Sequence, residues 1–528
     1  MKKYQVIGII LGFLFYGLLF IFPSLGAFNL FDWDEINFAE STREMLVSGD
    51  FFHVQINFEP FHEKPPLFFW FQALSMKIFG INAFAARFPN ALLGVLTPII
   101  LFFMGTKIKN SSFGLLWSLI YMLGILPSLY FRTGIIDPYF NLFIFTSIYF
   151  GYLYLSDEEA KNKIHLVLSG IFAGLALITK GPVAILVISI VFIFLQLIRK
   201  LKIGMTSILI FFTTIIGCSL IWYGYEIWQS GPWFLVEFIK YQIELFSIPV
   251  AGHQQPFYYH FLVLLFGCFP FSFFALRFIF FSSERSSGFQ GLMRILFWVV
   301  LILFTIVSTK IVHYSSLAYF PLSYLASVEI QKLQFGKKLS MYFKIIFIAF
   351  ALILSMSLTI SIYALVAQPK FISEKIPNIH IQEIINTPLD WIGFEYLIPL
   401  LMLVGSILFI IMCSKRLIQS VIIYLVFLGM FFLFSARLIL PKIDYLLQGH
   451  LIQFYDSISL EKKYISTVGF KSYAHYFYAK TDQLSKTDQL KTKKLEILNT
   501  HFDVDSFHDL TKSQKNKYSS HVVNWMAD

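Results

Sequence analysis

The sequence predicts an all-α membrane protein that crosses the bilayer many times. Of its 528 residues, 57% are hydrophobic and only 14% are charged, and the mean hydropathy is +0.70. Soluble domains carry about 25% charged residues, so the composition excludes an ordinary soluble protein. Apolar segments of about 20 residues recur along the chain, which is the length of a spanning helix and about twice that of a barrel strand.

About thirteen apolar segments have the length of a membrane span. Short basic loops alternate with them, and all of these loops fall on one side if the N-terminus is cytoplasmic. The first segment has a long apolar core without a small-residue cleavage site, so we interpret it as a retained helix. An odd number of spans places the C-terminal region outside. The predicted spans are 6–25, 84–106, 113–131, 136–155, 164–179, 182–198, 206–228, 257–281, 291–308, 314–330, 342–367, 395–413 and 417–439.

The first outer loop, residues 26–83, is the most polar segment between two spans. Asp34 is well placed to cap a following helix, because a short carboxylate accepts from the free amides of a first turn. The apolar residues of that helix lie opposite Glu40 and Glu44, which predicts an amphipathic helix on the membrane surface. The helix should end at Gly49. A loop this long and acidic is not needed to cross a bilayer, so we interpret it as part of a site rather than as a solvated connection.

A second motif in this loop is His-Glu-Lys-Pro-Pro-Leu, residues 62–67. The two prolines fix an extended turn and can start a new helix. Glu63 and Lys64 are therefore held in a defined loop.

Two charged residues stand at predicted membrane boundaries. A charge at membrane depth costs about 2.5–3.5 kcal/mol on insertion scales, which favours a functional role for Asp137 over a helix cap. Ion pairing of Asp137 with Arg132 is the alternative. Lys180 lies in a tight turn, where it either snorkels to the interface or faces a cavity and offers a cation to a phosphate.

Further polar candidates lie in the later outer loops. His253 is either a hydrogen-bonded loop residue or, with Glu63, half of a divalent metal site, since imidazole and carboxylate suit zinc or manganese. Lys310, His313 and Tyr314 add cationic and hydrogen-bonding groups at the same boundary.

Carboxylates, lysines and histidines on one face of a helical bundle suit transfer of a group from a phosphate-bearing lipid. Cations stabilise a departing phosphate, and a carboxylate can accept the proton of a hydroxyl acceptor. The sequence has no P-loop and no dinucleotide fingerprint, which favours a donor reached from within the bilayer. It has no basic stripe with interleaved aromatics, so we expect no nucleic acid partner. A transporter is the competing class, but it would favour mid-membrane charges and an internal repeat.

The chain becomes polar after residue 440, which predicts a transmembrane domain over 1–440 and an outer domain over 441–528. Alternating strand-like runs occur at Tyr464–Val468 and Ala474–Tyr478. We therefore expect a small extracytoplasmic α/β domain.

The ordered motifs of residues 1–330 resemble those of a known family, the polyprenyl-phosphate-sugar glycosyltransferases of the GT-C superfamily. The family includes the lipid A 4-amino-4-deoxy-L-arabinose transferase and, more distantly, the protein O-mannosyltransferases. The residues that carry the resemblance are Asp34-Glu35, Phe38-Ala39-Glu40, Arg43-Glu44-Met45, Ser48-Gly49-Asp50, Glu63-Lys64-Pro65-Pro66-Leu67, Trp70, Phe79-Gly80, Arg87, Asp137, Gly174-Leu175-Ala176, Thr179-Lys180-Gly181-Pro182, His253, Gln255-Pro256-Phe257, Lys310 to Tyr314 and Pro321.

The resemblance implies a GT-C fold in a bacterial inner membrane, with the active site on the periplasmic face. It implies a sugar donor on undecaprenyl phosphate, inversion at the anomeric carbon, and lipid A, a protein or another envelope glycan as acceptor. By residue, it implies Asp34 and Asp137 as catalytic carboxylates, with Asp34 as a base or as a group that positions the acceptor. It implies Lys64 and Lys180 at the donor phosphate, and Glu63 and His253 at a zinc, manganese or magnesium ion. Lys310 is a further candidate at the donor phosphate, and Glu35, Arg43, Arg132, His313 and Tyr314 are further site candidates. The short C-terminal region departs from the family where acceptor recognition is expected.

Overall fold

A computed structural model of the protein describes most of the chain and is almost entirely helical where it does so. The described residues are 2–61, 63–156, 162–200, 203–247, 255–281, 288–334, 336, 338–367, 387, 389–459, 465 and 472–481.

The helices are numbered here in chain order. They are α1 Lys3–Tyr16, α2 Asp34–Ser48, α3 Leu67–Phe79, α4 Ala83–Ile108, α5 Ser111–Met122, α6 Ile125–Tyr130, α7 Asp137–Ser156, α8 Lys163–Lys180, α9 Val183–Arg199, α10 Met205–Ser230, α11 Trp233–Ser247, α12 Tyr259–Gly267, α13 Phe271–Phe281, α14 Gly288–Ile306, α15 Tyr319–Gln334, α16 Met341–Ala367, α17 Leu397–Met412, α18 Leu417–Phe434, α19 Leu440–Asp444, α20 His450–Ile458 and α21 Ala474–Tyr478. Short π turns cover Gly17–Ile21, Ser435–Ile439 and Tyr445–Gly449, and 3-10 turns cover Phe22–Ser24, Val312–Ala318 and Phe394–Tyr396. The strands β1 Gln55–Ile56 and β2 Glu59–Pro60 form one antiparallel hairpin.

Each predicted span coincides with a helix or with a broken pair of helices, which confirms an all-α, multi-pass membrane protein. Among the described residues, eight helical runs are long and apolar enough to cross a bilayer. The predicted spans 113–131 and 257–281 are each broken in two, into α5 with α6 and α12 with α13. Pro270 lies at the second break. Proline has no N–H with which to continue a helix, so the span is interrupted there. The count of thirteen spans stays a prediction.

Close packing of α7, α8 and α10 sets the geometry of the outer face. At Gly174 in α8, an added Cβ would lie only 2.7 Å from the Cβ of Cys218 in α10, so this glycine permits the two backbones to approach closely. Since α7 begins and α8 ends on the same side of the bundle, their close contact brings Asp137 and Lys180 together.

Helix α2 confirms the predicted helix in the first outer loop but not its predicted environment. It ends at Gly49, whose φ of +75° is the left-handed conformation that glycine favours. Trp33, rather than Asp34, precedes the first turn, and Asp34 is the first helical residue. The amphipathic surface helix is wrong, because Glu40 and Glu44 are 0% and 1% exposed. Other segments of the chain cover the predicted polar face.

The β1–β2 hairpin covers Glu44, which accepts from the backbone amides of Asn57 and Phe58. The C-terminal segment contacts α2 and the residues before it. The backbone N–H of Leu30 donates to the hydroxyl of Tyr478 at 2.8 Å, and Arg43 donates to the carbonyl of Thr481 at 2.8 Å. Asp444 accepts from the backbone and side-chain amides of Asn29 at 3.1 and 2.9 Å. These bonds fasten the end of the described chain to the start of the first outer loop.

Two features of the predicted outer domain differ in the structure. The run Ala474–Tyr478 is a helix and not a strand, because its aromatic residues pack inward against α2 and α20 instead of alternating between two faces. The helical run that starts at Leu417 also continues past residue 440 to Ile458. Of Tyr464–Val468, only Ile465 lies within the described residues, and a separate α/β domain stays a prediction.

Candidate functional site

Four predicted site residues meet at the outer end of the bundle. The ammonium of Lys180 lies 2.6 Å from Oδ1 of Asp137. Nε2 of His313 lies 3.7 Å from Oδ2 of Asp137 and 3.7 Å from Oδ2 of Asp34. Residues from α2, α7, α8 and the 3-10 turn after α14 therefore form one cluster.

Helix ends position this cluster. Asp137 is the first residue of α7 and Lys180 is the last residue of α8, where a carboxylate and an ammonium each complement the local helix dipole. Gly181 follows with a φ of +109°, so the chain turns immediately after Lys180. The lysine therefore faces a cavity and its acidic partner rather than snorkelling to the interface.

The two carboxylates differ in their surroundings. The Asp137 side chain is only 4% exposed and is engaged by Lys180, whereas the Asp34 side chain is 35% exposed. Burial lowers the pKa of His313, and the positive charge of Lys180 acts in the same direction, while Asp137 and Asp34 oppose it. Asp34 is therefore the more accessible carboxylate of the cluster.

Glu63 and Lys64 stand beside the cluster and are covered by α11. The hydroxyl of Tyr241 donates to Glu63 at 3.0 Å, and the ammonium of Lys64 lies 3.6 Å from Glu63 and over the ring of Tyr241. Burial raises the pKa of the Tyr241 phenol, and the carboxylate of Glu63 raises it further. The phenol of Tyr241 thus stays protonated and donates a hydrogen bond to Glu63.

A cleft opens below the cluster, with about 670 Å³ of open volume including its mouth. Its polar end holds Asp137, Lys180 and Tyr314, and Lys180 lies 5.0 Å from the centroid of the Tyr314 ring. The remaining walls are mostly apolar, with the amides of two residues among them. They are formed by Phe140 and Asn141 of α7, Val183 and Leu186 of α9, Gln242 of α11, Leu303 and Phe304 of α14, and Val307. The cleft therefore combines a cationic end with mostly apolar walls.

Glu35 lies in a buried structural pair and not in the cluster. Its carboxylate accepts two hydrogen bonds of 2.8 Å from Arg87 and one of 2.6 Å from the backbone N–H of Gly134. Burial alone would raise the pKa of Glu35, but Arg87 and the amides of Phe31 and Gly134 lower it overall. Arg87 also donates to the carbonyls of Leu25, Phe28 and Asn29. This pair joins the first outer loop to α4.

Arg43 and Arg132 have structural contacts as well. Arg43 forms two 2.7 Å bonds with Glu40 on the buried face of α2. The alternative of an ion pair between Arg132 and Asp137 is not observed, because the guanidinium donates to the carbonyls of Ser128 and Phe20. Arg132 projects back toward α1 and α6, away from the first turn of α7.

The remaining predicted residues are only partly described by the structure. The ammonium of Lys310 is buried and donates to the carbonyl of Val307 at 2.8 Å. His253 lies outside the described residues. The described part of the chain contains no group of three or more metal-ligating side chains that could hold an ion. The described partners of Glu63 are Tyr241 and Lys64. Because His253 is not described, the Glu63–His253 metal site stays a prediction.

Comparison with known proteins identifies the architecture. The structure superposes on that of ArnT from Cupriavidus metallidurans bound to undecaprenyl phosphate with a TM-score of 0.71, covering 96% of this chain and 91% of ArnT at 17% identity. The chain has the GT-C fold.

Sequence comparisons agree with this GT-C fold. Residues 63–222 match the dolichyl-phosphate-mannose-protein mannosyltransferase family. The undecaprenyl phosphate-alpha-4-amino-4-deoxy-L-arabinose arabinosyl transferase of Yersinia enterocolitica is 31% identical over 280 residues, which are 51% of this chain and 49% of that protein. The transferase of the same name from Wigglesworthia glossinidia brevipalpis is 28% identical over 328 residues, 61% of this chain and 58% of the relative. The match therefore spans less than two thirds of the length of these relatives. Together with the fold, it confirms the resemblance that the motifs predicted.

Within the GT-C fold, three polar residues of the site, Asn141, Tyr241 and Gln242, were not predicted from the sequence. Tyr241 and Gln242 lie on α11, which also carries the charged residues Glu237, Lys240 and Glu244. Glu237 and Lys240 form an exposed pair, whereas Tyr241 contacts Glu63 and Gln242 lines the cleft. The exposed residues and the cleft-facing residues of α11 differ only in the side of the helix on which they lie. Which side faces the cleft is known only from the packing of the helix.

Proposed function

We propose that this protein is an inverting glycosyltransferase that moves a sugar from undecaprenyl phosphate to lipid A at the periplasmic face of a bacterial inner membrane. The observation that carries the proposal is the cleft with Lys180 at one end and mostly apolar walls along the rest. A polyprenyl phosphate has the same division into an anionic head and a long apolar chain. The name of the Yersinia relative and the undecaprenyl phosphate bound to ArnT in its crystal structure support the same donor.

In this proposal the reaction is a single displacement. An acceptor oxygen forms a bond to the anomeric carbon while the bond from that carbon to the phosphate oxygen breaks, and the electron pair leaves with undecaprenyl phosphate. Lys180 and Lys64 stabilise the phosphate as its negative charge grows. Asp137 positions Lys180 through their 2.6 Å contact. Attack from the face opposite the phosphate inverts the anomeric centre.

Asp34 is the group assigned to the acceptor, because it is the more exposed carboxylate of the cluster. A hydroxyl acceptor must lose a proton, and Asp34 would accept it. A lipid A phosphate is already anionic, so Asp34 and His313 would then only orient it.

A protein hydroxyl is the second candidate acceptor. The match of residues 63–222 to a protein mannosyltransferase family favours it. Donor binding in the cleft would be the same for both acceptors.

The test is transfer by the purified protein from an undecaprenyl-phosphate sugar, with lipid A or an envelope protein as acceptor and mass spectrometry of the products. We expect a sugar mass on lipid A. We expect Asp34→Asn to lower transfer to a lipid A phosphate and to abolish transfer to a hydroxyl acceptor, in both cases without loss of folded protein. Asp456→Asn, an exposed aspartate on α20, is the matched control. Transfer only to protein would select the second candidate, and no transfer to either acceptor would overturn the proposal. Metal analysis of the same preparation tests the Glu63–His253 site.

A further inference from the structure

Helix α11 contributes Gln242 to the wall of the cleft. A buried aromatic side chain of the same helix, Phe238, serves as its anchor. Phe238 is buried in a cluster with Leu67, Ile178 and Trp222. An added Cβ on Gly181 would lie 2.5 Å from the Phe238 ring. The anchor therefore rests directly on the turn that follows Lys180.

The contacts of Phe238 and Tyr241 fix the rotation of α11 about its axis, and this rotation places Gln242 on the side that faces the cleft. Tyr241 is held by its 3.0 Å hydrogen bond to Glu63. Gln242 comes next, rotated about 100° around the helix axis, and lines the cleft together with Asp137, Lys180 and Tyr314. Its amide thus occupies a defined place in the cleft wall.

Gln242 differs from the other amide in the cleft. Asn141 donates at 2.7 Å to the hydroxyls of both Tyr130 and Ser316, so its N–H groups are committed to the protein. The side chain of Gln242 makes no hydrogen bond to any residue that the structure describes. An amide offers two donors and one acceptor without a net charge, which suits sugar hydroxyl or amino groups better than a phosphate already facing lysine.

We propose that Gln242 reads the sugar of the donor through hydrogen bonds and thereby selects among polyprenyl-phosphate sugars. The inference deepens the proposed function and rests on it. In an otherwise apolar pocket, a few placed polar groups set orientation and specificity. A site that hydrogen-bonds a substrate hydroxyl discriminates against an analogue that lacks it, because the polar group of the site is then left unpaired.

The test separates recognition of the sugar from recognition of the phosphate. Gln242→Leu should lower kcat/KM for the preferred donor about tenfold, roughly the effect of one or two neutral hydrogen bonds. It should leave the affinity for undecaprenyl phosphate, which carries no sugar, unchanged. It should also reduce the preference between two donors that differ at one hydroxyl or amino group. Gln196→Leu, the same change at an exposed position on α9, is the matched control.

Three outcomes decide the inference. Equal loss of donor turnover and undecaprenyl phosphate binding would overturn it and assign Gln242 to the phosphate. Unchanged kinetics in Gln242→Leu and Gln242→Ala would also overturn it, and the alanine variant keeps the test usable if leucine disturbs α11. A wild-type protein that neither binds undecaprenyl phosphate nor transfers a sugar would instead refute the proposed function itself.

Discussion

The ammonium of Lys180 lies 2.6 Å from Oδ1 of Asp137, at the point where α8 ends and α7 begins. The pair holds a lysine at the membrane boundary with its charge directed into the cleft. A phosphate that enters the cleft must therefore share this cation with Asp137. The same carboxylate lies 3.7 Å from His313, so the cation and the imidazole are positioned by one group.

Replacement of Lys180 should reduce transfer without unfolding the protein. We expect Lys180→Met to lower kcat by about 10²–10³, the range seen when one donor to a developing anion is removed. Steady-state transfer rates, with folded protein measured by size exclusion, provide the measurement. Lys240→Met is the matched control, because Lys240 is exposed and its ion pair within the described residues is with the exposed Glu237. Equal rates for wild type and Lys180→Met would refute the role at the phosphate.

The Glu35–Arg87 pair should control stability rather than chemistry. Glu35→Gln removes the charge that balances a fully buried guanidinium, and breaking a buried ion pair in this way costs about 3–5 kcal/mol. We expect a clear fall in the melting temperature of the purified protein. Arg437→Lys, at an exposed arginine with one bond to the carbonyl of Pro23, should leave it unchanged. A stable Glu35→Gln protein with impaired turnover would return Glu35 to the site.

Glu44 should make the first outer loop sensitive to alkaline pH. Burial, reinforced by the nearby carboxylate of Glu40, raises the pKa of Glu44 to about 9. The folded state therefore binds more protons than the unfolded state between about pH 4.5 and pH 9, and stability falls as pH rises through this window. Thermal unfolding from pH 5 to pH 9 measures this, and Glu44→Gln should flatten the profile. Identical slopes for the two proteins would contradict the assignment.

A buried network beneath the cluster should position His313. Asn141 donates to Tyr130 and Ser316, and the hydroxyl of Ser316 donates to the carbonyl of His313. We expect Tyr130→Phe, which removes one hydroxyl outside the cleft, to shift the pH profile of transfer while leaving the affinity for undecaprenyl phosphate unchanged. Tyr424→Phe is the control, because its buried hydroxyl lies beside Ser406 and takes no part in this network. An unaltered profile in Tyr130→Phe would rule out positioning through this network.

Much of the fold was predictable because a bilayer imposes a simple rule on sequence. Every backbone polar group in the hydrocarbon must be paired within a helix, so apolar length alone located the spans. Asp137 and Lys180 were identified for a related reason, since charges at membrane boundaries are costly and few. Their mutual pairing could not be inferred, because the two residues are 43 positions apart and helix packing decides it.

The errors share one physical origin. The sequence pattern that places Glu40 and Glu44 on one face of α2 is the same for a solvated face and for a polar face covered by other protein. Likewise, Glu35 and Asp34 are adjacent acids, yet Glu35 is buried against Arg87 and Asp34 lies partly exposed beside His313. The position of Gln242 in the site could not be predicted from the sequence, because a neutral glutamine is equally common on exposed helix faces. Tertiary contacts, and not composition, separate these cases.

The bonds from Asn29, Leu30 and Arg43 to Asp444, Tyr478 and Thr481 join residues separated by 415 to 448 positions. The ribosome makes the chain from its N-terminus, so α2 is synthesised long before the residues that cover it. Glu40 and Glu44 find their partners within the first loop itself, in Arg43 and in the backbone amides of Asn57 and Phe58. The contacts to Asp444, Tyr478 and Thr481, in contrast, form only after the rest of the described bundle has been made, so the first loop completes its packing late.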